Sequence, residues 1–350
     1  RGEGIFPDAI TLVCSLKACS SIGSIVKGEE IYAEVIHNQY LERDVFIGNA
    51  LVDMYAKCGM LEKARFILVD KILIPNSITW NSLMAGYVQN GRCKEALNCF
   101  NCMQIRGTMP DAVTFTCCLR ACGSLNDIEK GVEIHSQIVR NGLLGNEVSV
   151  GNALVDMYAK CGWFIKAKEV LNSLSFRDVS TWNSLITSYA QRNCAEDVLK
   201  CYKELQLDGV NPNAITYACG LKACVAMLDI NKGSDLHCET VERGLFTDDV
   251  VIGSTLIDMY AKCGMLLDAQ KVFDMLPVRD VVTWTSLMSG YEEHDRGEEA
   301  LDCFKKMQLE GLSPDAITFI CILRACGNIG CLEIGKKIHE DADRQGLLEK

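Results

Sequence analysis

The sequence predicts an all-α fold: a right-handed α-solenoid superhelix of about ten tandem helix-turn-helix units. Three observations carry this. GNALVDMYAKCG at Gly48–Gly59 recurs letter for letter at Gly151–Gly162, and GSTLIDMYAKCG stands at Gly253–Gly264. TWNSL at Thr79 and Thr181 and TWTSL at Thr283 keep nearly the same interval, as do PDAIT, PDAVT, PNAIT and PDAIT from Pro7, Pro110, Pro212 and Pro314. Within a unit the apolar spacing is helical, with Leu287 and Tyr291 four apart and Ala300, Phe304 and Met307 following at i, i+4, i+7. Units of this size bury their apolar faces only against neighbours, so the chain reads as an array.

The units follow one another at polar boundary residues: Asp8, Asp44, Asn76, Asp111, Glu147, Asp178, Asn213, Asp249, Asp280 and Asp315. Residues 1–8 read as the tail of a preceding unit. Ten units follow, at 9–44, 45–76, 77–111, 112–147, 148–178, 179–213, 214–249, 250–280, 281–315 and 316–350. Every boundary residue is Asp, Asn or Glu, standing where a helix N-cap is wanted. Gly59, Gly91, Gly162 and Gly264 fall between the two helical patterns of their units, where a left-handed residue stops a helix; Gly297 is assigned to the same turn. No useful length reads as a period-2 strand.

Composition sets bounds. Hydrophobic residues make up 49% of the 350, ample for a continuous core, and no linker-like stretch divides the chain. No apolar run approaches the roughly 18–20 residues of a membrane span. There is no initiator Met or targeting segment, Arg1 opens inside a unit's tail and Lys350 closes a unit, so a piece of a longer protein is expected.

Fourteen of the 20 cysteines lie in repeating columns: Cys14/Cys117/Cys219/Cys321, Cys19/Cys122/Cys224/Cys326, Cys58/Cys161/Cys263 and Cys99/Cys201/Cys303. A thiol that copies with the repeat is expected to be a small buried packing residue, reduced rather than bridged. His37, His135, His237 and His339 read as a further structural column. Cys99-x-x-Cys102 has no partner pair for zinc, and His237-Cys238-Glu239 lacks the downstream P-C-x-x-C that a zinc deaminase needs. No phosphate-loop, nucleophile-elbow or zinc-protease motif occurs. The chain is expected not to be an enzyme and to need no metal or cofactor.

Unit lengths and motifs together carry a family resemblance. VVTWTSLMSGYEEHDRGEEALDCFKKMQLEGLSPD (Val281–Asp315) resembles a pentatricopeptide repeat. The alternation of 35-, 36- and 31-residue units resembles the PLS subclass of plant organelle RNA-binding proteins. The W-N-S-L units resemble the P type, the A-I-T-F…L-R-A-C-G units the L type, and the G-N-A-L-V-D-M-Y-A-K-C-G units the S type. Tetratricopeptide repeats also give helical pairs, but their W-x-x-L-G-x-x-Y pattern is missing.

The resemblance implies modular reading of single-stranded RNA, one base per repeat. In P and S units the fifth residue and the last make the choice. Carried onto this chain, those pairs are Asn49/Asn76, Asn81/Asp111, Asn152/Asp178, Asn183/Asn213, Ser254/Asp280 and Thr285/Asp315. Asn/Asp favours U, Asn/Asn favours C over U, and Thr/Asp favours G, with Ser/Asp a weaker G reader. In L units the fifth slot holds Val13, Thr116, Ala218 and Ile320, mostly unable to read a base edge. Second-position residues would wedge the bases: Phe46, Ile78, Ser149, Ser180, Val251 and Val282. Lys57, Lys160 and Lys262 in S units are candidate phosphate contacts, and Lys17, Arg120, Lys222 and Arg324 form a matching basic column in L units.

Structural readings stand beside each of these. N-capping accounts for the boundary column, an inter-repeat hydrogen bond would account for Asn at the fifth position, and either basic column could be a solvated helix-end charge. The net charge of −11 opposes nonspecific nucleic-acid binding, so modest, salt-sensitive affinity is expected. The family's 5′-to-3′ register implies 5′-NYUNUYNGGN-3′ as target, at C-to-U editing sites in a mitochondrial or chloroplast transcript. An editing cofactor protein or a deaminase supplied outside this chain is the implied partner. The competing class is a protein-binding helical scaffold.

Overall fold

A computed structural model of the chain describes residues 7–42, 44–145 and 147–347. The expected tail at 1–8 lies outside these residues except for Pro7 and Asp8, as does the end of the last unit at 348–350. Among the described residues all regular structure is helical. Two compact units divide the chain, residues 1–185 and 186–350.

In the first, the opening helices of successive hairpins run Ala9–Ile22, Val45–Lys57, Ser77–Gln89, Ala112–Leu125 and Val148–Lys160. In the second they run Ala214–Met227, Val250–Lys262, Val281–Glu293 and Ala316–Asn328; the helix Val179–Gln191 spans the division. Each begins where the boundary residue offers a cap. Asp8, Asn76, Asp111, Asn213, Asp280 and Asp315 accept the N–H of the third helical residue, always a threonine. Asp178 does the same for Thr181, at 2.8 Å. Asp44 and Asp249 accept from the second residue, Phe46 and Val251. Glu147 departs from the expected pattern and makes no side-chain cap bond. Its extra methylene carries the carboxylate past the amides that a shorter side chain reaches.

Unit length resides in the second helix. It has 13 residues in Cys93–Ile105 and Gly297–Leu309 but 10 in Phe164–Ser173 and Leu266–Met275. The unit at 45–76 is one residue longer than its copies at 148–178 and 250–280, and its second helix passes from Leu61–Phe66 into a π-turn at Ile67–Lys71. A π-turn holds one more residue than an α-turn, so the insertion is absorbed without shifting the next opening helix.

Trp80, Trp182 and Trp284, from the three T-W-x-S-L motifs, are buried at the centre of their hairpins. The glycine opening each G-x-x-L-[VI]-D-M-Y motif permits a close approach within its own unit. A Cβ at Gly151 would stand 2.7 Å from Leu174 Cδ2, and one at Gly253 2.5 Å from Leu276 Cδ2.

Several expectations are corrected. Gly297 is not in the turn but is the first residue of its helix, and Asp295 takes the left-handed conformation at φ 59°. The glycine is needed for space, since a Cβ would lie 2.7 Å from Ile329 Cγ2. The cysteine columns are not uniformly core. Cys19, Cys122, Cys224, Cys326, Cys99, Cys201 and Cys303 are buried, whereas Cys14 is exposed. Cys58, Cys161 and Cys263 are half-buried C-caps. Burial pushes the Cys99, Cys122 and Cys303 thiols up to about 12, which suits inert packing groups. His37 does not belong to the histidine column, because Tyr32 occupies the register of His135 and packs edge-on against Tyr55 at 6.0 Å. His135 and His237 are structural: their Nδ1 atoms meet the hydroxyls of Tyr158 and Tyr260 at 2.8 and 2.9 Å. His339 is exposed.

Candidate nucleic-acid interface

Positions two, five and nine of an opening helix lie on one face, three and four residues apart. The second residues stand out from it. Phe46, Ile78, Val251 and Val282 are 54–73% exposed, and Ser149 and Ser180 are exposed too. The same position in the four units that open on A-[IV]-T repeats this feature, which sequence reading overlooked: Ile10, Val113, Ile215 and Ile317 are 53–74% exposed.

Fifth residues sit one turn deeper. Asn49, Asn81, Asn183, Ser254 and Thr285 are buried and Asn152 is half-buried. Asn81 Nδ2 donates to both oxygens of Asp111, at 2.9 and 3.1 Å. The Thr114 hydroxyl of the next unit donates to Asn81 Oδ1 at 2.7 Å and also lies 3.0 Å from Asp111 Oδ1. Asn152 Nδ2 reaches Asp178 more loosely, at 3.3 and 3.5 Å, while the Thr181 hydroxyl donates to Asn152 Oδ1. Asn49 and Asn76 are joined through Thr79, whose hydroxyl meets both side-chain oxygens. Thr285 is linked to Asp315 through the Thr318 hydroxyl, 2.7 Å from one and 2.8 Å from the other. Ser254 instead donates to the Val251 carbonyl of its own helix, at 3.1 Å. Asn183 is buried, and Asn213 accepts the Thr216 N–H at 3.2 Å.

The inter-repeat hydrogen bond weighed as a structural account of the fifth asparagine therefore exists. It does not exhaust the group. An amide has two N–H donors and two lone pairs, and Asn81 commits one of each, which leaves one donor and one acceptor aimed from a fixed plane. The buried threonines Thr79, Thr114, Thr181, Thr216, Thr283 and Thr318 are the residues sequence reading missed. Their signal was present in every T-W and A-[IV]-T motif. Burial would raise the Asp111 carboxyl, but the Thr114 N–H and the Asn81, Ser77 and Thr114 side chains outweigh it and hold it below its ordinary value. Asp178 is likewise raised by burial and lowered further by Thr181, Asn152 and the Ser180 backbone.

Charge is distributed unevenly. Lys57, Lys160 and Lys262 each pair with an aspartate one turn back, Asp53, Asp156 and Asp258, at 2.8–3.0 Å. In the first compact unit a groove of about 510 Å³ is lined by Arg120, Ser149, Asn152, Asp156, Lys160 and Ser180 among others. A cavity of about 530 Å³ lies away from these residues, in the last hairpin beside Cys326, Gly335 and His339. Inner copies of that face receive a methionine: a Cβ on Gly131 would lie 2.5 Å from Met157 Sδ.

The deaminase-like triplet is spoken for. His237 binds Tyr260, and Glu239 accepts from the hydroxyls of Tyr202 and Tyr217. Among the described residues no group of three His, Cys, Asp or Glu side chains is placed to hold a metal ion, and no helix is long and apolar enough to cross a membrane.

Family models match much of the chain. The PPR repeat family model matches residues 75–124, 177–226 and 279–328. The PPR repeat model matches residues 49–70, 113–143, 152–179 and 254–281. The chain belongs to the pentatricopeptide repeat family. Among pentatricopeptide repeat-containing proteins of Arabidopsis thaliana, a chloroplastic one is 33% identical over 98% of this chain and 39% of its own length. A mitochondrial one is 36% identical over 95% of this chain and 38% of its own length. The pentatricopeptide chain thus spans well under two thirds of these relatives. The crystal structure of the pentatricopeptide repeat protein PPR10 from maize aligns with 99% of this chain and 60% of its own, at TM-score 0.51 and 19% identity, a likeness of fold.

Proposed function

We propose that this pentatricopeptide chain binds single-stranded RNA sequence-specifically, one base per P or S unit. One observation carries the reading: the Asn81 amide is held by its unit's last residue and by the next unit's threonine, one turn from exposed Ile78. Such a group is oriented before the ligand arrives, so little ordering entropy is spent on binding. The fifth/last pairs then select 5′-NYUNUYNGGN-3′. Asn152/Asp178 repeats the geometry of Asn81/Asp111, which supports U at both. The indirect Thr285–Thr318–Asp315 link, hydroxyl to hydroxyl to carboxylate with no amide, supports a different base there.

The alternation of 36-, 31- and 35-residue units supports the PLS subclass, and with it the selection of a C-to-U editing site. The deamination itself falls to a deaminase or editing cofactor protein outside this chain. Relatives named chloroplastic and mitochondrial support an organellar setting. The net charge of −11 favours the second reading, a protein-binding scaffold.

Fluorescence anisotropy with labelled 5′-ACUAUCAGGA-3′ tests the proposal against a control with purines and pyrimidines exchanged at the read positions. At least tenfold tighter binding of the first RNA is expected, about 1.4 kcal/mol. Equal binding of both would refute sequence-specific recognition.

A further inference from the structure

We infer that the L-type units are phosphate grips: Lys17, Arg120, Lys222 and Arg324 hold the RNA backbone opposite bases that these units do not read. The inference rests on the RNA-binding reading and assigns the division of labour within it. Each L-type opening helix carries a single charged residue, and in every copy it is this cation at the ninth position. S-type opening helices carry one aspartate and one lysine, already paired with each other. The P-type helices Ser77–Gln89 and Val179–Gln191 carry no charge, and Val281–Glu293 ends on Glu292 and Glu293. The uncompensated positive charge of this helical layer therefore belongs to the L units.

All four L cations are exposed, and among the described residues no carboxylate stands within ion-pair distance of them. The helix dipole does not explain their position. It favours cations in the last turn, and the L-type helices have none there, whereas Lys57, Lys160 and Lys262 do sit in theirs. The N-cap residues of the same helices stand nine residues back, about 13.5 Å away along the axis at about 1.5 Å per residue. Arg120 shares its groove with Asn152, with the mutually paired Asp156 and Lys160, and with Ser149 and Ser180, the second residues of the two units that follow. A strand threaded past Asn152 brings a phosphodiester within reach of the guanidinium. Exposed Ile10, Val113, Ile215 and Ile317 offer any base an apolar surface at the same units, and fifth residues such as Val13 and Ile320 make no demand on its identity.

The test compares two surface variants, Lys17→Gln/Arg120→Gln/Lys222→Gln/Arg324→Gln and Lys57→Gln/Lys160→Gln/Lys262→Gln, each checked for native helicity by circular dichroism. Binding of 5′-ACUAUCAGGA-3′ is followed from low to near-physiological salt. Four lost phosphate contacts should reduce the slope of log affinity against log salt by roughly 2.8, at about 0.7 per contact on a single strand. The S-type variant should change it by less than one contact's worth. Methylphosphonate linkages at the L-facing steps should weaken the parent but leave the L-type variant unaffected. An unchanged slope in the L-type variant, or a slope lost only in the S-type variant, overturns the inference. No binding by the parent at low salt overturns the RNA reading itself, and this inference with it.

Discussion

The Asn81 carboxamide donates to both carboxylate oxygens of Asp111, 30 residues on, while Asp111 caps the next helix through the Thr114 N–H at 2.9 Å. One carboxylate thus closes one repeat, opens the next and sets the plane of the amide between them. On the proposed reading stability and recognition share a residue, and substitutions can separate the two.

Asp111→Ala removes cap and amide anchor together. A loss of about 1 kcal/mol is expected from the cap, with loss of U preference at that base. Asp111→Asn keeps a capping oxygen, so its stability should stay close to the parent's while preference moves from U towards C. Urea denaturation and anisotropy on the same samples separate these effects.

At Glu147 the helix lacks its side-chain cap although the backbone is extended, φ −119° and ψ 102°, as at Asp44. Glu147→Asp should let the shorter side chain reach the Ser149 N–H. It is expected to stabilise by about 0.5–1 kcal/mol, read as a higher denaturation midpoint. A lower midpoint would show that Glu147 does something else.

Thr114→Val keeps shape but deletes the hydroxyl that orients Asn81. A stability loss of about 1–3 kcal/mol is expected from buried partners left unpaired. Discrimination between U and C at that base should weaken, with affinity for other positions kept.

Gly151→Ala sets a Cβ 2.7 Å from Leu174 Cδ2. Overpacking of this kind costs about 1–3 kcal/mol. Pairing it with Leu174→Ala should recover part of that loss, so the double variant is less destabilised than the two single effects summed. Strict additivity would show that the glycine is not there for space.

The depressed carboxyls of Asp111 and Asp178 fix a pH dependence. Their contribution is fully present above the ordinary aspartate value, about 3.9. It is lost as pH falls through the lower folded values, because the unfolded chain takes up protons first. Thermal midpoints should fall as pH drops below about 5, and less steeply in Asp111→Asn/Asp178→Asn. Identical pH profiles for parent and variant would deny these carboxylates the role.

Helical hairpins, their order and most caps were legible in the sequence, because polar boundary residues and positive-φ glycines such as Gly59 and Gly162 act locally. The threonine contacts were not. Thr114 reads as an ordinary third helical residue, and its bond to Asn81 spans 33 positions. The π-turn at Ile67–Lys71 hid in a one-residue length difference. His37 joins its column by letter only, where the helical register puts Tyr32. The pairing of Lys57, Lys160 and Lys262 with their aspartates was passed over in the sequence, although D-M-Y-A-K sets the two residues four apart on one face.

The central claim is that a fifth/last pair chooses its base. Recoding Asn81→Thr with Asp111→Asn tests it most directly, with anisotropy on 5′-ACUAUCAGGA-3′ and on the same RNA with A in place of the first U. The parent should prefer the first RNA and the recoded protein the second, each by about tenfold, or about 1.4 kcal/mol. The same preference in parent and recoded protein would contradict base choice by Asn81 and Asp111.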